Sequence, residues 1–263
     1  VNESVFFMRT RISLNHIVEF VLGFGGLFLL TTGVVAGDGK LSGDKVPSQT
    51  GDVIVHPVNH ASLALEWKEL IIYADPVGGA KRYEGLPRPN VILLTHAHYD
   101  HFDPETLKGI ATEKMVLIAP RDVFEKLPAD FKTRAQVMTN GEIKEVDGVK
   151  VEAVPMYNTT PDRKKFHAKG VGNGYVLMLG DKRVYISGDT EDIPEMRALK
   201  KIDVAFVCMN LPYTMTVEQA ASAVREFRPK IVYPYHYKNS DLEKFKQLVG
   251  TDAGVEVRLK NWY

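Results

Sequence analysis

Four side chains able to bind a metal crowd into six residues of this chain, His96-Ala-His98-Tyr-Asp100-His101. Imidazole and carboxylate together suit zinc, and iron or manganese are also served by such a set. A metal held here acts on water and on a polar substrate as a Lewis acid, which points to hydrolysis. What must position these groups is written on either side of them. The apolar run Val91-Ile-Leu-Leu94 reads as a buried strand. If the chain stays extended past Thr95, His96 and His98 point to the same side, because side chains alternate along a strand. Asp103-Pro104-Glu105 then reads as a helix start, with an aspartate N-cap, proline at the first helical position and an acid in the first turn. The ligand candidates therefore sit at a strand-to-helix turn.

The pattern His-x-His-x-Asp-His resembles the signature of the metallo-β-lactamase superfamily. The resemblance implies an α/β protein, a four-layer αββα sandwich with a one- or two-metal hydrolytic site. It implies further ligands elsewhere in the chain. Asp189, in Ser187-Gly-Asp-Thr190, is similar to the aspartate that bridges two metals, a role a carboxylate can fill because its two oxygens can bind separate cations. His236, in Pro234-Tyr-His-Tyr237, resembles the final ligand beyond the last core strand. The family supplies one more histidine between the central motif and the bridging aspartate. Of the chain's eight histidines, only His167 lies in that interval. Asn158 or a water is the alternative there, because Tyr157-Asn158 holds the place directly after a strand. The implied sets are His96, His98 and His167 for a first divalent ion, Asp100, His101 and His236 for a second, and Asp189 between them. Asp100 is also expected to orient the nucleophile, a metal-bound hydroxide. His60, in His60-Ala-Ser62, also resembles many members of the family. It reads either as a hydrogen-bonded structural histidine or as a contact to substrate beside the metals.

Composition sets the outer bounds. The chain has 263 residues, 44% of them hydrophobic, with Lys+Arg and Asp+Glu both 33. That is one large domain or two small ones of ordinary globular composition. A net charge of zero offers nothing global for nucleic acid. Cys208, the single cysteine, excludes an intramolecular disulfide and sits in the apolar run of residues 204–209 as inert strand core.

Along the chain, Arg9 and Arg11 precede an apolar stretch from about Ile17 to Leu30, followed by Val34-Val-Ala36. This order reads as a secretory signal peptide over residues 1–36, hence export to the periplasm or beyond. An uncleaved N-terminal membrane anchor is the alternative. Residues 37–51, rich in Gly, Ser, Asp and Pro, read as a linker, and residues 52–263 as the hydrolase domain. From Asp52 onward short strands lead into an alternation of strands and helices, which is α/β. Asp192-Ile-Pro-Glu195 has capping-box spacing and predicts a helix to Leu199. No internal repeat shows at the level of residues.

The substrate is the open question. His60-Ala-Ser, the Phe166-His-Ala-Lys-Gly170 loop and Tyr235-His-Tyr237 are similar to the L-ascorbate-6-phosphate lactonase-like branch of the superfamily. That implies a hydrolase acting on a small lactone, ester or phosphoester. A phosphodiesterase or phospholipase-type hydrolase is the nearest rival, and a non-catalytic metal-binding module a more distant one. Lys164, Lys165 and Lys169, with Arg163, flank His167 and predict at least one cation facing the cleft to hold an anionic substrate; a solvated loop is the plainer reading. Tyr235, with Tyr99, Tyr157, Tyr213 and Tyr237, is a candidate for the pocket wall or for packing behind it.

Overall fold

The computed structural model describes residues 43–263. The expected signal peptide or anchor over residues 1–36 lies outside them. No described helix is long and apolar enough to cross a membrane.

The first half of the described chain builds one sheet. β1 (Asp44–Val46), β2 (Val53–Asn59), β3 (Ser62–Trp67) and β4 (Leu70–Ala74) form an antiparallel meander. β5 (Val91–Leu93), β6 (Val116–Ala119) and β7 (Ala135–Val137) then add in parallel. α1 (Pro104–Ile110), α2 (Arg121–Lys126) and α3 (Ala129–Lys132) make the crossings, since parallel neighbours cannot be joined by a tight turn. The second half repeats the plan. β8 (Ile143–Val146), β9 (Val149–Met156), β10 (Gly172–Leu179) and β11 (Lys182–Ile186) are antiparallel. β12 (Val204–Cys208), β13 (Ile231–Tyr235) and β14 (Glu256–Val257) follow in parallel. α4 (Pro194–Arg197), α5 (Val217–Phe227) and α6 (Leu242–Val249) lie between them in the chain. Each sheet thus carries its strands in sequence order. The repeat that is invisible residue by residue is present in the architecture.

Side-chain alternation decides how the layers stack. Leu63 and Leu65 of β3, Ile72 of β4 and Leu93 of β5 belong to one core cluster with Val151, Tyr175, Leu177 and Ile186 of the other sheet. Their chain neighbours Ala64, Ile71, Tyr73, Ile92 and Leu94 point the other way, onto Leu107 and Ile110 of α1 and Val123 of α2. On the far side α5 turns Ala220, Val224 and Phe227 inward, with the Phe227 ring edge-on to Tyr185 at 6.1 Å. The result is a helix–sheet–sheet–helix sandwich. β12 is buried along its whole length, as a strand covered on both faces must be. Burial, then the charge of Asp189, push the Cys208 thiol up to about 12, which agrees with an inert core residue.

Two local expectations are corrected. Part of the stretch assigned as a linker, Asp44–Val46, is the edge strand β1. Val46 is buried there, and the Asp44 carboxylate accepts from Tyr233 Oη at 2.6 Å and Lys260 Nζ at 2.7 Å. A single buried valine in turn-rich sequence gives no periodicity to read. The helix expected to reach Leu199 is only Pro194–Arg197, and its N-cap Ile193 makes no side-chain cap. Asp192, the expected capping residue, is drawn away by Arg197 Nη2 at 2.5 Å and by Gln219 Nε2 of α5 at 3.0 Å.

Candidate metal centre

The central motif leaves β5 at the edge where the two sheets meet. Leu94 N–H still pairs with Ile118 O, and Thr95 N–H then donates to Asp75 Oδ1 at 2.7 Å. The chain turns where His101 N–H and Phe102 N–H both donate to His98 O, and α1 starts with Asp103 accepting from Glu105 N, as its sequence predicts. Asp189 follows β11 at a turn that only glycine can make. Gly188 has φ 60°, and a Cβ there would lie 2.7 Å from Met156 Sδ. Tyr235 Oη accepts from Gly188 N–H at 2.9 Å, and Thr190 Oγ1 donates to Tyr157 O. His236 follows β13 at φ 45°, with its N–H on His60 O.

These turns bring the ligand candidates together from five places in the chain. His96, His98 and His167 form one group whose ligand atoms lie within 4.8 Å of one another; His60, Asp100 and His236 form a second; His96, His101 and Asp189 form a third. Asp189 lies between the histidine sets and divides its two oxygens. Oδ2 is 3.4 Å from His167 Nε2. Oδ1 is 3.4 Å from His101 Nε2 and 3.3 Å from His236 Nε2. His96 presents Nε2 and His98 presents Nδ1, 3.0 Å apart.

The opposite ring nitrogens are held from behind. His96 Nδ1 is 3.0 Å from Thr95 Oγ1, whose hydroxyl donates to Asp75 Oδ2 at 2.6 Å. His101 Nδ1 is 2.8 Å from the same Asp75 oxygen. His167 Nδ1 is 3.2 Å from the Asn158 amide, and His236 Nδ1 is 3.3 Å from the Asn210 amide. Such partners fix the tautomer and aim the free nitrogen forward. The forward atoms His101 Nε2, His167 Nε2, His236 Nε2 and Asp189 Oδ1 are buried and have no hydrogen-bond partner. Four convergent buried polar atoms without partners cost several kcal/mol unless something binds them. A divalent cation fits that need: the donors are imidazole and carboxylate, the set zinc takes.

Electrostatics prepare the donors. Burial, reinforced by the charge of His101, holds His96 well below the ordinary imidazole value, and burial also lowers His98 and His167. Burial works against the Asp189 charge, but His236 and His101 outweigh it and keep the carboxyl well below the usual range. Burial likewise opposes the Asp100 charge, and the His60 hydrogen bond with His101 and His236 overcomes it, to about 2.

The structure places the remaining candidates as follows. His60 enters the site: its Nε2 is 3.0 Å from Asp100 Oδ2 and its ring centroid 3.9 Å from that of His236. Asn158 stands behind His167, with Nδ2 donating to Arg163 O at 3.0 Å and Tyr213 O at 2.7 Å. Tyr235 packs beneath Gly188 and against Trp262, away from the cleft. The basic loop is corrected. The cleft beside the cluster, about 250 Å³, is lined by His60, His98, Tyr99, Asp100, Phe166 and His167, with Asp189, Asn210, Tyr213 and Lys238 completing it. Lys164, Lys165 and Lys169 are not among its lining residues. Lys169 Nζ is held by Glu195 Oε1 at 3.0 Å, Lys165 lies over the Phe166 ring, and Lys164 borders a separate pocket with Thr159 and Ala168. The physical cause is Glu191. Fully buried, it accepts from Thr159 N, Thr160 N and Arg163 Nη1 at 2.6 to 2.7 Å. It thereby seats the loop so that His167 faces inward, Arg163 is engaged, and the three lysines are exposed.

Sequence reasoning missed Asp75, Asn210, Glu191 and Lys238. Asp75 stands in Ala74-Asp-Pro76 at a strand end, where the structure gives it φ 43°, a sparsely populated conformation for a non-glycine residue that the sequence does not reveal.

A two-sheet sandwich carrying a paired histidine and carboxylate centre at its edge defines the metallo-β-lactamase type of metal-dependent hydrolase. Residues 55–236 match the family model described as the β-lactamase superfamily domain, and the chain belongs to that superfamily. It is 32% identical over 214 residues to a UPF0173 metal-dependent hydrolase of Pyrococcus abyssi, covering 76% of this chain and 93% of that one. A crystal structure from Parabacteroides distasonis, described as a candidate metal-dependent hydrolase, is 40% identical with a TM-score of 0.76, covering 83% of this chain and 97% of that one. The metallo hydrolase Igni18 of Ignicoccus hospitalis shares the fold at a TM-score of 0.66 and 23% identity, over 80% of this chain and 95% of its own.

Proposed function

We propose that this metal-dependent hydrolase holds two zinc ions and cleaves a small ester, lactone or phosphoester. The observation that carries the reading is the division of Asp189, whose two oxygens face separate histidine sets. His96, His98 and His167 would hold one ion and Asp100, His101 and His236 the other. Two such ions, when bound, lower the pKa of a water and polarise the scissile oxygen. The chain's own residues supply the rest. His60 fixes Asp100 Oδ2, so the carboxylate stays ionised and keeps one direction as a proton acceptor toward the cleft. Phe166 and Tyr213, packed edge to face at 5.0 Å, form an apolar wall that orients the substrate and limits water. The similarity to the lactonase-like branch favours a lactone or ester; a phosphodiester is the second choice.

The test is chelation followed by reloading with zinc or manganese, with elemental analysis and assays on a lactone, a carboxylic ester and a phosphodiester. Two ions per chain and activity that returns with them are expected. Less than about one ion per chain at neutral pH would remove the site.

The two ends should differ in pH dependence. In apoprotein burial pushes His101 down, but Asp189 and Asp75 more than reverse it and hold the imidazolium well above the ordinary value. His96, His98 and His167 are shifted the other way and are neutral at pH 7. Zinc entering beside His101 must therefore displace a proton, so affinity there rises with pH through neutrality. Zinc at the other end should show little pH dependence above 6.5, the ordinary imidazole value. Calorimetry in buffers of different ionisation enthalpy reads this directly: one binding phase that releases a proton and one that does not. Equal release in both phases would contradict the assignment.

A further inference from the structure

We infer that Lys238 anchors an anionic group of the substrate, remote from the bond that is cleaved. This rests on the reading of the site as a hydrolase centre for small esters. Lys238 lines the same cleft as His60, Asp100 and Tyr213. Among the described residues it is the one lysine or arginine that does so. Its neighbours in charge are otherwise engaged. Arg163 is bound to Glu191 and Lys169 to Glu195, while no carboxylate of the described residues lies within ion-pair distance of Lys238. The acids inside the cleft are also taken: Asp100 faces His60 and His236, and Asp189 faces His101, His167 and His236. An exposed lysine that lines the cleft without a carboxylate partner thus leaves its charge available to a ligand.

The backbone of Lys238 is fixed while its side chain is left free. Its φ is 46°, and its N–H donates to Tyr263 Oη at 2.9 Å. The Tyr263 ring stands edge-on to His60 at 5.4 Å and packs against Tyr237 at 5.1 Å. The residue is therefore tied by its main chain to the ring that touches His60, so its distance from the reacting centre is set by the fold. Phe166 and Tyr213 line the same cleft and present apolar surface to it. A ligand that satisfies both walls has an apolar body and a charged end. A lone ammonium is a point charge and accepts carboxylate or phosphate alike. Lys238 also borders a second groove with Leu211, Val217 and Asp241, so its engagement with the cleft is what the experiment must show.

The probe is a matched pair of esters, the mono-4-nitrophenyl ester of adipic acid and 4-nitrophenyl hexanoate, equal in length and different only in the terminal charge. For the zinc-loaded enzyme the selectivity ratio is kcat/KM for the charged ester over that for the neutral one. Lys238→Ala should lower this ratio about tenfold, as expected for one charge-assisted contact, with the loss in KM for the charged ester. Lys238→Arg should restore it, and added salt should shrink the difference. The triple variant Lys164→Ala, Lys165→Ala, Lys169→Ala should leave the ratio where it was. A ratio unmoved by Lys238→Ala, or one that falls in the triple variant instead, overturns the anchor while the hydrolase reading stands. Equal loss on both esters in Lys238→Ala makes the residue structural and also overturns it. If the zinc-loaded wild type cleaves neither ester, the ester reading falls and the anchor with it.

Discussion

Asp189→Asn is expected to reduce hydrolysis by more than about 100-fold, beyond what disturbing a residue that only orients a ligand costs. It should also leave the protein with fewer than two ions per chain. The change is nearly isosteric, so packing around the buried side chain is preserved. What changes is the donor set. A carboxylate offers one oxygen to His167's side and one to the side of His101 and His236. An amide offers one oxygen and an NH2 group that cannot coordinate. It also removes the negative charge that His236 and His101 hold ionised against burial. Zinc content by elemental analysis, kcat/KM on whichever ester the wild type accepts, and a circular dichroism spectrum form the test. A variant that keeps two ions and a tenth of the activity would mean that Asp189 is not shared between them.

The second large effect separates His167 from Asn158. His167→Ala should cost at least as much as Asp189→Asn at one end of the centre, with zinc lost from the His96 and His98 side. Its Nε2 is buried without a partner and points at Asp189 Oδ2. Asn158→Ala should cost about tenfold, with both ions retained, the scale of a residue that positions a ligand. Asn158 Nδ2 donates to the Tyr213 carbonyl and lies 3.2 Å from His167 Nδ1. Its loss therefore loosens His167 without removing a donor. Metal content distinguishes the two variants even where activity falls in both. If Asn158→Ala strips the ion and His167→Ala does not, the ligand is Asn158.

The local parts of the centre were legible because they are written in neighbouring residues. An apolar strand, alternation past its end and an aspartate–proline helix start place His96, His98, Asp100 and His101 at one turn. The α1 bounds, Pro104–Ile110, match the sequence signals because the cap residues themselves set them. His236 and Asp189 were legible only through resemblance to a family, since a lone histidine or a Gly-Asp-Thr turn specifies nothing by its own chemistry.

The partners behind and around the ligands belong to the tertiary structure. Asp75 and Asn210 reach the histidines from other loops because two sheets stack and bring their strand ends to one edge. No spacing along the chain encodes that meeting. The charge of the cleft is the clearest case. By sequence the cations belong to residues 163–169, yet a single buried carboxylate, Glu191, holds Arg163 and seats that loop with its lysines exposed and outside the lining of the cleft. Lys238, alone between Tyr235-His-Tyr237 and Asn239-Ser240, carries no pattern and is delivered to the cleft by the turn after β13. Sequence therefore determined which atoms can bind metal, because ligand chemistry is a property of residue type. The tertiary structure decided which nitrogen of each ring faces inward and which cation lines the cleft, because those depend on what long-range packing sets behind each side chain.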